Sequence, residues 1–306
     1  MKPIVKNKLA LSTVYQFALS SRGDRLAVMG RKLVMTDPAK MARLYSCHPV
    51  PHPSYTAFSP DGAMLAVKST SGRILLLAAE SGEIILDFMN KTDGEGAAPA
   101  FSACGRYLVD ASWNGQIIVR DTLRQLSDTR HTFAGEMIAE VLPSSDRCTW
   151  VFVHRPIATS ETEPFAPAYI TVWKWPLTEH RKFAPEIRTR SAALSPDGRV
   201  LAIADDAQIQ FHLLENDAVL KSAPVERCRR IRWSPDGTLV ALILQSSVAI
   251  YAFPSYELVD AFEQDFASDI CFALDNSFVA VGGWSGGGVQ RFDVRQANAD
   301  SRADPL

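Results

Sequence analysis

Ala57-Phe-Ser-Pro-Asp-Gly62 is followed by Leu65-Ala-Val67, and the same pattern returns twice further along the chain. The other full copies are Ala193-Leu-Ser-Pro-Asp-Gly198 with Leu201-Ala-Ile203, and Arg232-Trp-Ser-Pro-Asp-Gly237 with Val240-Ala-Leu242. In each copy the proline fixes φ, the aspartate can bond its own downstream backbone, and the glycine accepts a positive φ. The pattern therefore predicts a β-hairpin, with one apolar strand before the turn and another after it.

Four weaker copies extend the repeat over nearly the whole chain. They are Ala18-Leu-Ser-Ser-Arg-Gly23, Ala100-Phe-Ser-Ala-Cys-Gly105, Val141-Leu-Pro-Ser-Ser-Asp146 and Cys271-Phe-Ala-Leu-Asp-Asn276. The last residues of the seven hexapeptides are 39, 43, 41, 52, 39 and 39 residues apart. A four-stranded propeller blade takes about 40 to 45 residues. The sequence thus predicts an all-β fold, a seven-bladed β-propeller with four-stranded blades over residues 1–294, followed by a polar tail at 295–306.

The strands within the units share further features. Alanine stands four residues after the turn marker in five units, which predicts close packing between neighbouring blades. These positions are Ala27, Ala66, Ala202, Ala241 and Ala280. The polar tail cannot supply a fourth strand for the last unit, whereas residues 4–11 can. We therefore expect the N-terminal strand to pair in the last blade and close the ring, which removes an exposed sheet edge.

Composition and charge favour a globular protein without a strong overall field. Lysine and arginine total 32 against 34 aspartate and glutamate, which argues against a general attraction to nucleic acid or anionic membranes. No segment approaches the roughly 20 apolar residues that span a bilayer. The five cysteines are an odd number without a CxxC pair, a pattern typical of a reducing compartment. We expect a cytoplasmic protein that does not bind membranes, with its cysteines buried in strands.

The units resemble WD repeats and the related propeller repeats that carry a Ser-Pro-Asp-Gly turn. The Trp-Asp pair that ends the third strand in that family is absent; its nearest equivalents are Thr36-Asp37, Arg120-Asp121 and Phe292-Asp293. No Gly-His dipeptide occurs, so the family's Asp-His-Ser-Trp hydrogen-bond tetrad is incomplete in every unit. The resemblance implies a rigid ring that presents loop faces to partner proteins, although a fold does not fix a function.

Nothing in the sequence favours catalysis. Gly283-Trp-Ser-Gly-Gly287 fits the G-x-S-x-G pattern of hydrolase nucleophiles, but that motif requires a strand followed by a helix. Here it aligns with Ser112-Trp-Asn-Gly115, a turn between the second and third strands. The six histidines are scattered without metal-ligand spacing, and we expect surface or capping roles for them. We predict no enzyme activity, no catalytic residue, no cofactor and no metal.

A partner is predicted to bind on the face opposite the Ser-Pro-Asp-Gly turns. There the loops that enter each first strand meet the loops between second and third strands. Aromatic and arginine side chains most often anchor interfaces. The candidate partner-binding residues are His52, Tyr55, Trp113, Phe165, Tyr169, Arg188, Arg190, Arg229, Arg230 and Trp284. The Pro-rich segment 155–167 is longer than a simple connection needs, and such loops are either functional or disordered.

The arginines suggest a partner with an acidic surface, unless they pair with Asp205, Asp206 and Glu226. Three functions stay open. The first is a non-catalytic protein-interaction scaffold or a dedicated binding inhibitor of one partner. The second is a propeller enzyme or small-ligand receptor, which predicts charged side chains converging on the axial channel mouth. The third, nucleic-acid binding through the arginines, is disfavoured by the balanced charge and would require an affinity that falls steeply with salt.

Overall fold

The computed structural model describes residues 5–88, 94–124, 127–157, 168–183 and 189–294. Phe165, Arg188 and the predicted tail at 295–306 lie outside these ranges. Within them the chain forms seven antiparallel sheets of four strands each. The same residues include no helix that is long and apolar enough to cross a membrane. The prediction of an all-β, seven-bladed propeller is confirmed.

The strands follow one another with short connections, and each blade takes four of them. The first strand is β1 (Val5–Leu9). Blades one and two are β2 (Gln16–Leu19), β3 (Leu26–Met29), β4 (Leu33–Asp37), β5 (Ala42–Cys47), β6 (Pro53–Phe58), β7 (Met64–Ser69), β8 (Ile74–Ala78) and β9 (Ile84–Asp87). Blades three and four are β10 (Ala100–Phe101), β11 (Tyr107–Ala111), β12 (Gln116–Asp121), β13 (Ser127–Thr132), β14 (Glu136–Pro143), β15 (Thr149–Pro156), β16 (Tyr169–Lys174) and β17 (His180–Lys182).

The remaining three blades continue the same arrangement. They are β18 (Ser191–Leu194), β19 (Val200–Ala204), β20 (Gln208–Leu213), β21 (Val219–Pro224), β22 (Arg230–Trp233), β23 (Leu239–Ile243), β24 (Ser247–Ala252), β25 (Leu258–Glu263), β26 (Ala267–Phe272), β27 (Phe278–Gly283) and β28 (Val289–Asp293). The last sheet has the order β1-β28-β27-β26. The predicted closure by the N-terminal strand is therefore confirmed.

The turns between first and second strands have the predicted chemistry. In blade two the Ser59 hydroxyl donates to Asp61 at 2.5 Å and accepts from the Met64 N–H at 2.9 Å. Gly62 adopts a φ of 73°, in the left-handed region that glycine tolerates best. In blade four the left-handed residue is Arg147, with a φ of 54°, and not the predicted marker Asp146. Asp146 occupies the preceding position and accepts the Cys148 N–H at 2.9 Å.

The five alanines that recur in the repeat lie between blades, as predicted. Ala27 packs in a cluster with Leu65 and Leu77 of the next blade, and Ala241 packs with Val279 and Val281. All five are at most 1% exposed, namely Ala27, Ala66, Ala202, Ala241 and Ala280. A methyl side chain lets neighbouring sheets approach closely, so the apolar core runs around the ring between successive blades.

A charged network is buried between blades two and three. The Lys68 ammonium lies 2.6 Å from Asp110 Oδ1 and also donates to the Ala111 carbonyl at 2.6 Å. Arg120 approaches the other oxygen of Asp110 at 3.2 Å. These three side chains are at most 1% exposed. Both buried cations therefore share this carboxylate, so its loss would weaken the environment of each.

Candidate functional site

The two sets of loops that were expected to share one face lie together, as the strand order requires. Loops that enter first strands are hydrogen-bonded to turns between second and third strands. The Thr70 N–H donates to the His52 carbonyl at 3.0 Å, and the Trp284 N–H donates to the Phe266 carbonyl at 2.9 Å. We call this surface the loop face. Because backbone bonds fix its loops, side chains on it are presented from a rigid support.

Large aromatic side chains are exposed at two places on the loop face. Trp284 in blade seven is 49% exposed, and its ring centroid lies 5.6 Å from that of Tyr15. Phe266, whose backbone bonds to Trp284, is 60% exposed. We call Tyr15, Phe266 and Trp284 the aromatic patch. Trp113 is 43% exposed in the corresponding turn of blade three. Phe266 was not among the predicted residues, although it occupies a loop that enters a first strand.

The other predicted aromatic residues have different environments. Tyr169 stacks on His154 with centroids 4.5 Å apart, and its hydroxyl donates to Glu136 at 2.5 Å. Tyr55 is half-buried in β6. It interacts electrostatically with Arg230, Glu140 and Asp269, which belong to three other blades, so it lies at the channel and not on the rim. His52 is exposed on the loop face, with a φ of 48°. The structure thus separates the predicted set into rim residues and interior residues.

The predicted arginines are partly neutralised. Arg190 pairs with Asp206 at 2.9 Å, and Arg229 is exposed at the entry to blade six. Nearby Arg227 donates to Gln245 at 2.8 Å. Among the described residues, the exposed arginines 190, 227 and 229 are matched in number by the acids 205, 206 and 226. This surface therefore has mixed charge. At Arg190 the guanidinium pairs with an acid of the same surface, which was the alternative to an acidic partner.

Arg230 belongs to a ring of side chains in the channel. Each turn between first and second strands opens with a serine, or with Ala273 in blade seven. The ring takes from each blade the residue four places before that position. Six of its seven members are polar or charged; in chain order the ring is Gln16, Tyr55, Ala98, Glu140, Ser191, Arg230 and Asp269. Strand side chains alternate between faces, so residues two places later, such as Arg232, leave the inner strand on the same side. The inner strands thus bring polar groups from different blades to one level.

Several ring members join each blade to the next. Asp269 accepts the Phe17 N–H at 2.9 Å, and Gln16 accepts the Thr56 N–H at 2.7 Å. Ser191 accepts the Ile231 N–H at 3.2 Å. In each case the acceptor lies in one blade and the donor lies on the inner strand of the following blade. These bonds satisfy backbone donors that no sheet partner reaches, so the ring has a structural role.

Arg230 and Tyr55 differ from those members. Arginine has no acceptor, and the residue that Tyr55 would serve in the next blade is Pro99, which has no N–H. Arg230 and Arg232 approach Asp269 Oδ1 at 3.5 and 3.1 Å. Burial raises the pKa of Tyr55 to about 12. These two side chains therefore do not accept a backbone N–H from the next blade, and Arg230 instead pairs with the Asp269 side chain there.

Blade four contains a buried histidine network. His154 Nδ1 lies 3.0 Å from Glu136 Oε2, and Nε2 lies 2.8 Å from the Thr171 hydroxyl. Trp173 donates to the same hydroxyl at 2.8 Å and stacks on His180 with centroids 4.3 Å apart. His154 is fully buried, so the expected surface role is wrong for this residue. Sequence spacing could not show this cluster, because its members come from different strands.

His154 is expected to make stability depend on pH. Burial lowers its pKa to about 4, below the unfolded value of about 6.5, so the unfolded chain takes up its proton first. The contribution is complete above pH 6.5 and is lost as the pH falls towards 4. The cost of His154→Gln should therefore be about 2 kcal/mol larger at pH 7.5 than at pH 4.5, as measured by urea unfolding. An equal cost at both values would contradict this assignment.

The remaining sequence candidates are placed as follows. Gly283–Gly287 turns from β27 into β28, which confirms the hairpin position predicted for Ser285. Cys104 and Cys148 are exposed in turns, Cys47 and Cys271 are partly exposed, and Cys228 is buried, so the expectation that the cysteines are buried in strands is wrong for most of them. His212 is also buried, contrary to the expected surface role. In the parts of the chain that the structure describes, no group of three or more His, Cys, Asp or Glu residues is arranged to hold a metal.

Comparison with known proteins adds support for the fold. The chain resembles the solved structure titled "Kuenenia stuttgartiensis Hydrazine Synthase", with a TM-score of 0.76 and 15% sequence identity. The match covers 94% of this chain and 97% of that chain. No protein-family model and no curated protein matches the sequence. At this identity the likeness concerns the propeller architecture alone.

Proposed function

We propose that this protein is a non-catalytic protein-interaction scaffold, or a dedicated binding inhibitor, that holds its partner on the loop face. The observation that carries the proposal is the aromatic patch. Two of its side chains, Phe266 and Trp284, are 60% and 49% exposed, on loops fixed by backbone hydrogen bonds. Large aromatic side chains on a rigid support bury much area at little entropic cost, and such residues dominate interface energies.

We propose that the propeller is built from WD-type repeats. Trp173 stands near the end of a third strand and donates to Thr171, which is bonded to His154, itself bonded to Glu136. This Trp-Thr-His-carboxylate chain has the chemistry of the WD tetrad on different strand positions. A cytoplasmic location is part of the proposal, and it is supported by five free cysteines, two of them exposed.

The proposed partner presents an apolar pocket to the aromatic patch and acidic groups to Arg229. The patch supplies burial, whereas the exposed guanidinium of Arg229 supplies orientation and a faster encounter. Salt is therefore expected to weaken binding modestly. A nucleic-acid partner would instead show an affinity that falls steeply with salt.

The proposal is tested by measuring partner affinity after identifying the partner by capture from the native cell. Trp284→Ala should weaken the purified complex by about thirtyfold, which corresponds to about 2 kcal/mol at a central anchor. Leu258→Ala is the matched control, because Leu258 is 59% exposed on the outer strand β25, away from the loop face. It should change the affinity by less than about twofold. Equal affinity of both variants and the intact protein would disprove the proposed face.

A further inference from the structure

The channel wall formed by blade six is rich in hydrogen-bond donors. Arg230 and Arg232 lie two residues apart on β22, so both side chains leave the strand on the same side. Their side chains are 30% and 32% exposed, which keeps them within reach of solvent. Each arginine forms an ion pair with the same oxygen of Asp269, Oδ1. A guanidinium carries five N–H donors in a planar fork, so most donors of this pair are available to a ligand.

Asp269 has little capacity left for these arginines. Its Oδ2 accepts the Phe17 N–H at 2.9 Å, and its Oδ1 accepts the Ile270 N–H at 3.0 Å. The side chain is 1% exposed, so its position is fixed by backbone bonds on both sides. It can orient the two guanidinium groups, but it cannot saturate them. The remaining donors are open to water or to a ligand.

Glu140 on blade four and Tyr55 on blade two both interact electrostatically with Arg230. Burial raises the pKa of the Glu140 carboxyl, while the charges of Arg230, Arg232 and Arg155 oppose that rise. Glu140 also interacts with the backbone of Ala192 in the next blade. Glu140 is thus a nearby counter-ion whose position is fixed by its contact with the next blade.

The two arginines are accessible where most of their repeat neighbours are not. At the position of Arg232, four other units carry alanine, namely Ala18, Ala57, Ala100 and Ala193. Ala100 and Ala193 are buried in apolar clusters between blades, whereas about a third of each arginine side chain is exposed. A ligand of a few heavy atoms can therefore reach both guanidinium groups.

We propose that this channel site binds a small organic carboxylate through Arg230 and Arg232, with Tyr55 donating a further hydrogen bond. Planar carboxylates match the guanidinium fork in bidentate geometry, which favours them over a spherical anion such as chloride. Glu140 competes with the ligand as the local counter-ion. The site is independent of the aromatic patch, so this inference does not depend on the proposed function.

The test is a ligand-observed NMR titration with succinate at constant ionic strength, the balance being made with chloride. The intact protein should show saturable binding with a Kd of about 1 mM or lower. Arg232→Gln should weaken binding at least about tenfold, because it removes one charged fork. Arg229→Gln is the matched control, since Arg229 is exposed on the rim, and it should leave the Kd within about twofold.

A second variant makes a purely structural explanation testable. Glu140→Gln keeps an oxygen acceptor for the next blade but removes the competing charge, so succinate should bind severalfold more tightly. Damage to the fold could not increase affinity. If Arg232→Gln fails to fold, Arg232→Lys replaces it: the charge remains, the fork is lost, and binding should still weaken. Trp284→Ala should not affect succinate binding.

Three results would overturn the inference. The first is absence of saturable succinate binding to the intact protein. The second is an unchanged Kd in the Arg232 variant that folds. The third is saturable binding of inorganic phosphate without binding of succinate, because that would make the site one for phosphate and not for a carboxylate.

Discussion

Asp110→Ala is expected to lower the free energy of unfolding by about 3 to 5 kcal/mol. Asp110 is fully buried and contacts Lys68 at 2.6 Å and Arg120 at 3.2 Å. Its removal leaves two cations inside the protein without their carboxylate. Burial lowers the pKa of Lys68, and Asp110 opposes that effect. The variant should therefore also release a proton from Lys68 more readily, and urea unfolding at neutral pH measures the loss.

An exposed ion pair provides the matched control for this prediction. Arg73 and Asp87 are 2.5 Å apart, but their side chains are 38% and 36% exposed. Water screens such a pair, so Asp87→Ala should cost about 1 kcal/mol or less. In the double variant Lys68→Met/Asp110→Ala, part of the lost stability should return, because one stranded charge is gone. A cost for Asp110→Ala no larger than that for Asp87→Ala would rule out the buried network as a stabilising element.

The propeller could be predicted because its signals are local. A turn needs its serine, aspartate and glycine within four residues, and the glycine φ of 72° at Gly198 and 73° at Gly237 shows why that residue recurs. Ring closure followed from counting strands in the last unit. In the fourth unit the predicted turn marker, Asp146, is one residue too early. Arg147 takes the left-handed conformation there, and not a glycine. No residue preference marks that position.

The candidate site was only partly predictable. Trp284 and Trp113 were identified because they lie in turns whose face the repeat defines. Arg230 was assigned to the rim, since alignment by the turn alone did not compare the inner-strand positions across units. Comparing the residue four places before each turn's first residue would have shown the polar ring. The Lys68–Asp110 pair also left a signal, a charged residue inside an apolar strand in each of two successive units.

Deleting residues 1–10 is expected to abolish the cooperative unfolding of the monomer. Strand β1 pairs with β28, with Leu9 opposite Val289 and Lys8 opposite Gln290. Without it, β28 exposes a row of unpaired backbone groups to other molecules. The apolar cluster of Leu9 with Val14, Phe17 and Val28 also opens at the junction with blade one. Size-exclusion chromatography should show aggregates, and urea unfolding should lose its single sharp transition.

A glycine pair in the same blade tests this closure without truncation. A Cβ at Gly288, where φ is 63°, would lie 2.2 Å from the Leu9 carbonyl oxygen. At Gly286 φ is 66°, and no heavy atom lies within 4 Å of such a Cβ. Both alanine variants carry the left-handed penalty of about 1 to 2 kcal/mol, but Gly288→Ala must in addition displace β1. It should therefore be the more destabilised of the two in urea. The backbone cost is common to both positions, and they differ in the contacts that a Cβ at Gly288 makes with the backbone of Leu9 and Leu11. Equal destabilisation would therefore mean that the seal between β1 and β28 contributes little.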